Sequence, residues 1–148
     1  MISDKKLDFF IKHKLNVLLS GKCGTGKTTV VIDAFNRNNM KWLYFSASTM
    51  DPWVDFIGVP KEKKTAEGKS YLELVRPQAF EDDEVEALFF DEYNRSPKKV
   101  RNAVMELIQF KSINGKKFKN LKVIWAAINP NDKDDEETKY DIEELDPA

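Results

Sequence analysis

Residues Gly21 to Thr28 read GKCGTGKT, a complete G-x-x-x-x-G-K-[ST] run. It lies between the apolar stretch Leu15 to Leu19 and a segment, Lys27 to Arg37, with Val30, Val31 and Ala34 at helical spacing. No other feature restricts the fold as strongly, because strand, glycine-rich loop and helix must meet at one point. Glycines at 21, 24 and 26 let the backbone curl so that successive amides face an anion without Cβ interference. The helix opening near Lys27 adds its N-terminal partial positive charge at the same place. A phosphate chain suits that geometry. The Lys27 ammonium would reach the β- and γ-phosphates and the Thr28 hydroxyl would ligate Mg2+. The lining is expected to comprise Gly21, Lys22, Cys23, Gly24, Thr25, Gly26, Lys27, Thr28 and Thr29. Cys23 reads as a small tolerated residue rather than a redox switch. The alternative, a glycine-rich turn with no ligand, is disfavoured by the flanking strand and helix.

Further along, strands and helices alternate, and the strands are solidly apolar, which predicts a parallel sheet covered by helices on both faces. Ser3 is placed to cap a first helix carrying Leu7, Phe10 and Ile11 on one side. Strands are expected at Leu15 to Leu19, Trp42 to Phe45, Ala87 to Phe90 and Leu121 to Ile128. Asp51-Pro52 is a helix start soon interrupted by Gly58 and Pro60, and Lys61 to Lys69 reads as an exposed loop or inserted hairpin. Ser96-Pro97 opens a helix with Val100, Val104, Leu107 and Ile108 on its buried face. Asn114-Gly115 is a hairpin signal. Trp42, Trp53 and Trp125 are assigned to the core or its margin, and His13 to a helix end or the surface.

The apolar fraction of 41% and charged fraction of 33% suit a globular domain, and no apolar run is long enough to cross a bilayer. One cysteine excludes an internal disulfide, no metal-ligand cluster is evident, and a cytoplasmic location is expected. A net charge of −1 gives no overall field toward nucleic acid. Charge is nonetheless uneven: residues 131–148 are strongly acidic, whereas Lys111 to Lys122 contains lysines and no acid. Solvated loops are the simpler reading of both.

Ala87-Leu88-Phe89-Phe90-Asp91-Glu92 is an apolar strand ending in two carboxylates. In a parallel sheet such an end faces the crevice that holds the phosphate loop. Asp91 would hold Mg2+ and Glu92 would act as general base toward an attacking water. Incidental acids at an exposed strand end are the alternative.

The run Asp91-Glu92-Tyr93-Asn94-Arg95-Ser96-Pro97 resembles the D-E-x-N-R-x-P motif of MoxR-type and dynein-related AAA+ ATPases. The resemblance continues upstream in Asp55 to Gly58 and downstream in Val123 to Pro130, where an apolar strand ends in Asn-Pro. Tyr140 to Ala148 resembles the approach to a later family element. The resemblance implies an α/β P-loop NTPase fold, a three-layer αβα sandwich with a mostly parallel sheet. It implies ATP and Mg2+ as ligands, with Lys27, Glu92 and Asn129 catalytic and Thr28 and Asp91 on the metal. Asn129 would be the sensor-1 amide, although an Asn-Pro turn explains the pair equally well. For Arg95 it suggests either a subunit-boundary role or an ion pair near Asp91 or Glu92.

Measured against that family, residues 1–148 would be the large nucleotide-binding subdomain, with 131–148 an acidic loop, stopping before the fifth strand, arginine finger and helical lid. A fragment of a longer protein is the favoured explanation, and weak turnover would follow. The family also implies a ring of copies, hexameric in the complete protein, acting on a client. The candidate client loops are Val59 to Val75, with Lys61, Lys63, Lys64, Lys69 and Tyr71, and Ser112 to Phe118, with Lys116, Lys117 and Phe118. They could keep the surface solvated, grip a polypeptide, or bind nucleic acid. Two other readings stay open: a nucleotide-gated binding module with little turnover, and a self-contained phosphotransferase.

Overall fold

The computed structural model describes residues 2–22 and 25–130. Its elements in chain order are α1 (Asp4–Lys12), β1 (Val17–Ser20), α2 (Lys27–Arg37), β2 (Trp42–Ser46), β3 (Val59–Lys64) and β4 (Ser70–Val75). Then come α3 (Gln78–Glu81), β5 (Ala87–Asp91), α4 (Lys98–Phe110), β6 (Ser112–Ile113), β7 (Lys116–Lys117) and β8 (Val123–Ile128).

Four strands form one parallel sheet in the order β1-β8-β5-β2. The central pair, ALFFD and VIWAAI, carries the most apolar sequence because both of its faces are covered. Side chains alternate between faces. Ala87, Phe89, Val123, Trp125 and Ala127 pack with Leu7 and Ile11 of α1 and Val31, Ala34 and Phe35 of α2. Leu88, Phe90, Ile124 and Ala126 pack the other way, against Val100, Val104 and Leu107 of α4 and the rings of Phe56, Phe80 and Phe118. The expected three-layer αβα sandwich results. Its functional consequence lies in strand order: β8 is last in sequence yet sits between β1 and β5. The residue after β8 therefore emerges between the phosphate loop and the end of β5.

Several local expectations hold. The Ser3 hydroxyl accepts a bond from the Lys6 amide at 3.3 Å, and His13 closes the same helix. Asn114 and Gly115, with φ of 50° and 82°, form the turn between β6 and β7. Others are corrected. The first and last strands of the sheet begin at Val17 and Val123 rather than Leu15 and Leu121. Asp51 does cap a turn, accepting from Trp53 and Val54 amides, but Pro52–Ile57 is a π-helix. Gly58 then adopts φ 116° with the Arg76 backbone 3.1 Å from where a Cβ would stand, so the chain can turn into the β3–β4 hairpin. Trp53 is 42% exposed, its ring lying under the Lys99 ammonium at 4.8 Å instead of in the core. Ile108 is 41% exposed because it lies toward the β1 edge, beyond the α4 residues that meet the central strands. Phe118 is only 5% exposed, packed against Phe80 with the Arg76 guanidinium 4.9 Å from its ring, so it is core and unavailable to a client.

Glu106 ties α4 to the β6–β7 turn. Its carboxylate accepts from the Ser112 hydroxyl and from the amides of Asn114 and Gly115. Burial pushes its pKa up, but the Ser112 hydroxyl and the two amides outweigh this, and the net shift is downward. A lowered folded-state pKa means the contribution is complete above the unfolded value of 4.5 and is lost as pH falls through the folded one. Glu106→Gln should therefore destabilise the domain by about 1 kcal/mol at neutral pH. The deficit should shrink as pH falls from neutral to below 4.5; denaturant midpoints showing an unchanged deficit across that range would rule out the carboxylate charge as its source.

Candidate functional site

The C-terminal ends of β1, β5 and β8 converge at the start of α2. Gly26, with φ 80°, is the left-handed residue from which α2 begins, which is why a side chain is absent there. The Lys27 ammonium folds back over the loop and donates to the Gly21 and Lys22 carbonyls at 2.6 and 2.9 Å. It also donates to Asn129 Oδ1 at 2.9 Å, across 102 residues of sequence. The Thr28 hydroxyl donates to Asp91 Oδ2 at 2.7 Å. Lys27, Thr28, Asp91 and Asn129 thus meet in one cluster. The Thr25 hydroxyl donates to the Lys22 carbonyl at 2.9 Å, and Thr29 is exposed on α2. Cys23 and Gly24 lie outside the described residues, as do the acidic segment 131–148 and the family-like run Tyr140 to Ala148.

Glu92 follows Asp91 in a left-handed conformation, φ 51° and ψ 40°, which costs a non-glycine residue about 1 kcal/mol or more. Its amide donates to Asp91 Oδ1 at 2.9 Å. Its carboxylate accepts from the Ser48 hydroxyl at 2.6 Å. Ser48 belongs to the 3-10 turn after β2, and its residue type alone does not single it out.

Two more residues were not singled out for roles. Asn94 is 4% exposed, and its side-chain amide pairs with the Asn129 backbone in both directions, each bond 3.4 Å. The Tyr44 hydroxyl donates to Asp91 Oδ2 at 3.1 Å. Burial first, and then the Asp91 charge and bond, push its pKa up to about 12, so at neutral pH it remains a donor. Only register along the sheet brings Tyr44 to Asp91. A pattern of residue types carries no such signal.

The donor set fits a magnesium–nucleotide rather than an isolated metal. No group of three His, Cys, Asp or Glu able to hold a metal occurs among the described residues. One hydroxyl and one carboxylate beside a lysine suit a cation that keeps waters and shares phosphate oxygens. Beside the loop, a mostly apolar cleft of about 340 Å³ is lined by Ile2, Leu18, Leu19, Val30 and Lys27. A larger cleft of about 490 Å³ lies between Trp53, the β3–β4 hairpin and α4, away from this cluster. Its charged side chains are engaged with neighbours: Lys99 with Trp53, Glu73 with Lys116, and Glu106 with the β6–β7 turn.

Fold and cluster together define a P-loop NTPase-like αβα domain. No protein-family model and no curated protein matches the sequence. Solved structures do. The chain is similar to a candidate ATPase from Cytophaga hutchinsonii, at 22% identity and TM-score 0.50, over 88% of this chain and 38% of that one. A RuvB variant from Thermotoga maritima matches at 18% identity and TM-score 0.53, over 83% and 35%. NtrX from Brucella abortus in complex with ADP matches at 17% identity and TM-score 0.55, over 95% and 30%. The chain therefore spans about a third of the length of these structures, and the likeness is one of fold. Among the described residues no helix is long and apolar enough to cross a membrane.

Proposed function

We propose that this chain is the nucleotide-binding core of an AAA+-type ATPase of the MoxR-like or dynein-related kind, binding ATP with Mg2+ and hydrolysing it. The observation that carries this reading is the bonded cluster of Lys27 and Thr28 at the start of α2, Asp91 at the end of β5 and Asn129 just after β8. The Asp91 to Pro97 run supports the family, since its Asn94 braces the backbone of Asn129.

Each residue has a part that its position permits. The loop amides and the α2 N-terminus would cradle the phosphates, and the apolar cleft beside them would take the base. Lys27 would exchange its loop carbonyls for phosphate oxygens, offsetting charge as the terminal phosphoryl group departs. Thr28 and Asp91 would hold Mg2+, which supplies further neutralisation of that charge. Asn129 can donate to the phosphate and accept from the attacking water, and Glu92 would take that water's proton. ADP, phosphate and the proton leave.

A hexameric ring of copies, a polypeptide client and a cytoplasmic location belong to the same proposal. The β3–β4 hairpin, with Lys61, Lys63 and Lys64 exposed, is the surface offered to the client; nucleic acid is the other occupant its lysines suit. Lys116 is less available, because it donates to the Leu74 carbonyl at 3.2 Å. A second reading, a nucleotide-gated module with little turnover, is favoured by the Ser48 bond that engages the Glu92 carboxylate.

Phosphate release from ATP over a wide range of protein concentration decides between them, with Glu92→Gln as the blank. Turnover should be low for this chain, climb per molecule with concentration, and fall about 10²–10⁴-fold in the variant. Brisk turnover that is merely proportional to concentration would exclude completion of the site between copies. Nucleotide binding with release equal to the blank would favour the gated module.

A further inference from the structure

Tyr44 stands on β2, an edge strand of the sheet, with Phe89 of β5 as its Cα partner. Its ring leans on the Phe89 ring, centroids 5.8 Å apart, on the same face of the sheet. From there the hydroxyl reaches along β5 to Asp91, two residues beyond its register partner. Asp91 Oδ2 consequently receives two hydroxyl donors, Thr28 at 2.7 Å and Tyr44 at 3.1 Å, while Oδ1 receives the Glu92 amide at 2.9 Å. Three donors from three segments fix the carboxylate's rotation.

We propose that Tyr44 is a positioning residue for the Asp91 carboxylate and sets how tightly the site holds magnesium with its nucleotide. The inference rests on the nucleotide-binding reading above. The hydroxyl acts by orientation. It holds the carboxylate plane where Thr28 also points, so that less order is lost when a cation is taken up. Groups that hydrogen-bond to a ligating carboxylate typically change metal affinity about 10- to 100-fold when removed. A packing role alone does not account for the hydroxyl. Phenylalanine would keep the ring contact with Phe89, and the β2–β5 pairing is a matter of backbone.

The test is binding of a fluorescent ADP, measured first in EDTA and then during a magnesium titration, for the wild type, Tyr44→Phe and Thr28→Ala. Tyr44→Phe should bind ADP in EDTA as the wild type does, keep its melting temperature, and need about ten-fold more magnesium for half-saturation. Thr28→Ala marks the full loss of the magnesium effect. A magnesium requirement in Tyr44→Phe equal to the wild type's overturns the role of Tyr44 while leaving the nucleotide reading standing. Equal weakening in EDTA and in magnesium also overturns it, since the hydroxyl would then serve the nucleotide or the fold. Absence of ADP binding by the wild type under both conditions overturns both readings together.

Discussion

Lys27→Met is expected to reduce ATP turnover by about 10²–10³-fold and to weaken nucleotide binding, while leaving the fold intact. Removing one fixed donor that faces developing charge in a reaction typically costs that much, about 2.7–4 kcal/mol. The geometry argues for the upper part of the range. The Lys27 ammonium lies within 2.9 Å of three acceptors, the Gly21 and Lys22 carbonyls and Asn129 Oδ1, so one side chain links the loop to the end of β8. Methionine preserves the length and apolar body of the stem and deletes the charge together with all three bonds. Lys27→Arg should not rescue, because a planar fork cannot fill the place of a compact ammonium among those acceptors. Asn129→Ala removes one acceptor and leaves the charge, and should cost less than Lys27→Met. Far-ultraviolet circular dichroism and a melting curve establish that the variant is folded; titration with fluorescent ADP and a phosphate-release assay read the rest. Wild-type turnover in a folded Lys27→Met protein would place the chemistry elsewhere in the molecule.

What was legible in the sequence was whatever chain-local physics dictates. The glycine run, the apolar β5 and β8 strands and the acids after Phe90 each announce themselves within a few residues, and they gave the parallel sheet and the residues that meet at its end. The order β1-β8-β5-β2 has no counterpart in any local pattern of residues, yet it is what puts Asn129 beside Lys27. Ser48, Tyr44 and Asn94 are ordinary residues by composition. Their positions against Glu92, Asp91 and Asn129 follow from cross-strand register, to which single-residue patterns are blind. The errors have the same origin. Phe118 and Trp53 were judged by type and local pattern. The first is drawn inward by Phe80 and Arg76, and the second is left outside by the π-helix that carries it.

Trp125→Ala should produce the largest loss of stability, about 3–5 kcal/mol, the range found for deleting a buried tryptophan or phenylalanine. A domain of this kind has about 5–15 kcal/mol in total, so the variant would be close to unfolding at physiological temperature. Trp125 is fully buried at the middle of the sheet, in register with Val17 on one side and Phe89 on the other. Its ring lies 5.0 Å from that of Phe35 on α2, and its indole N–H donates to the Leu15 carbonyl at 3.0 Å. Alanine would therefore leave a cavity and a loosened seat for α2, and would remove the bond to the Leu15 carbonyl. The same strand runs directly into Asn129, and α2 begins at the phosphate loop, so nucleotide binding should fail together with stability. Leu18→Ala on neighbouring β1 provides the contrast: Leu18 is 59% exposed, and its removal should cost under about 1 kcal/mol. Urea unfolding of the two variants against the wild type measures the difference. Equal midpoints for Trp125→Ala and Leu18→Ala would mean that β8 is not the strand on which the sheet and the site both depend.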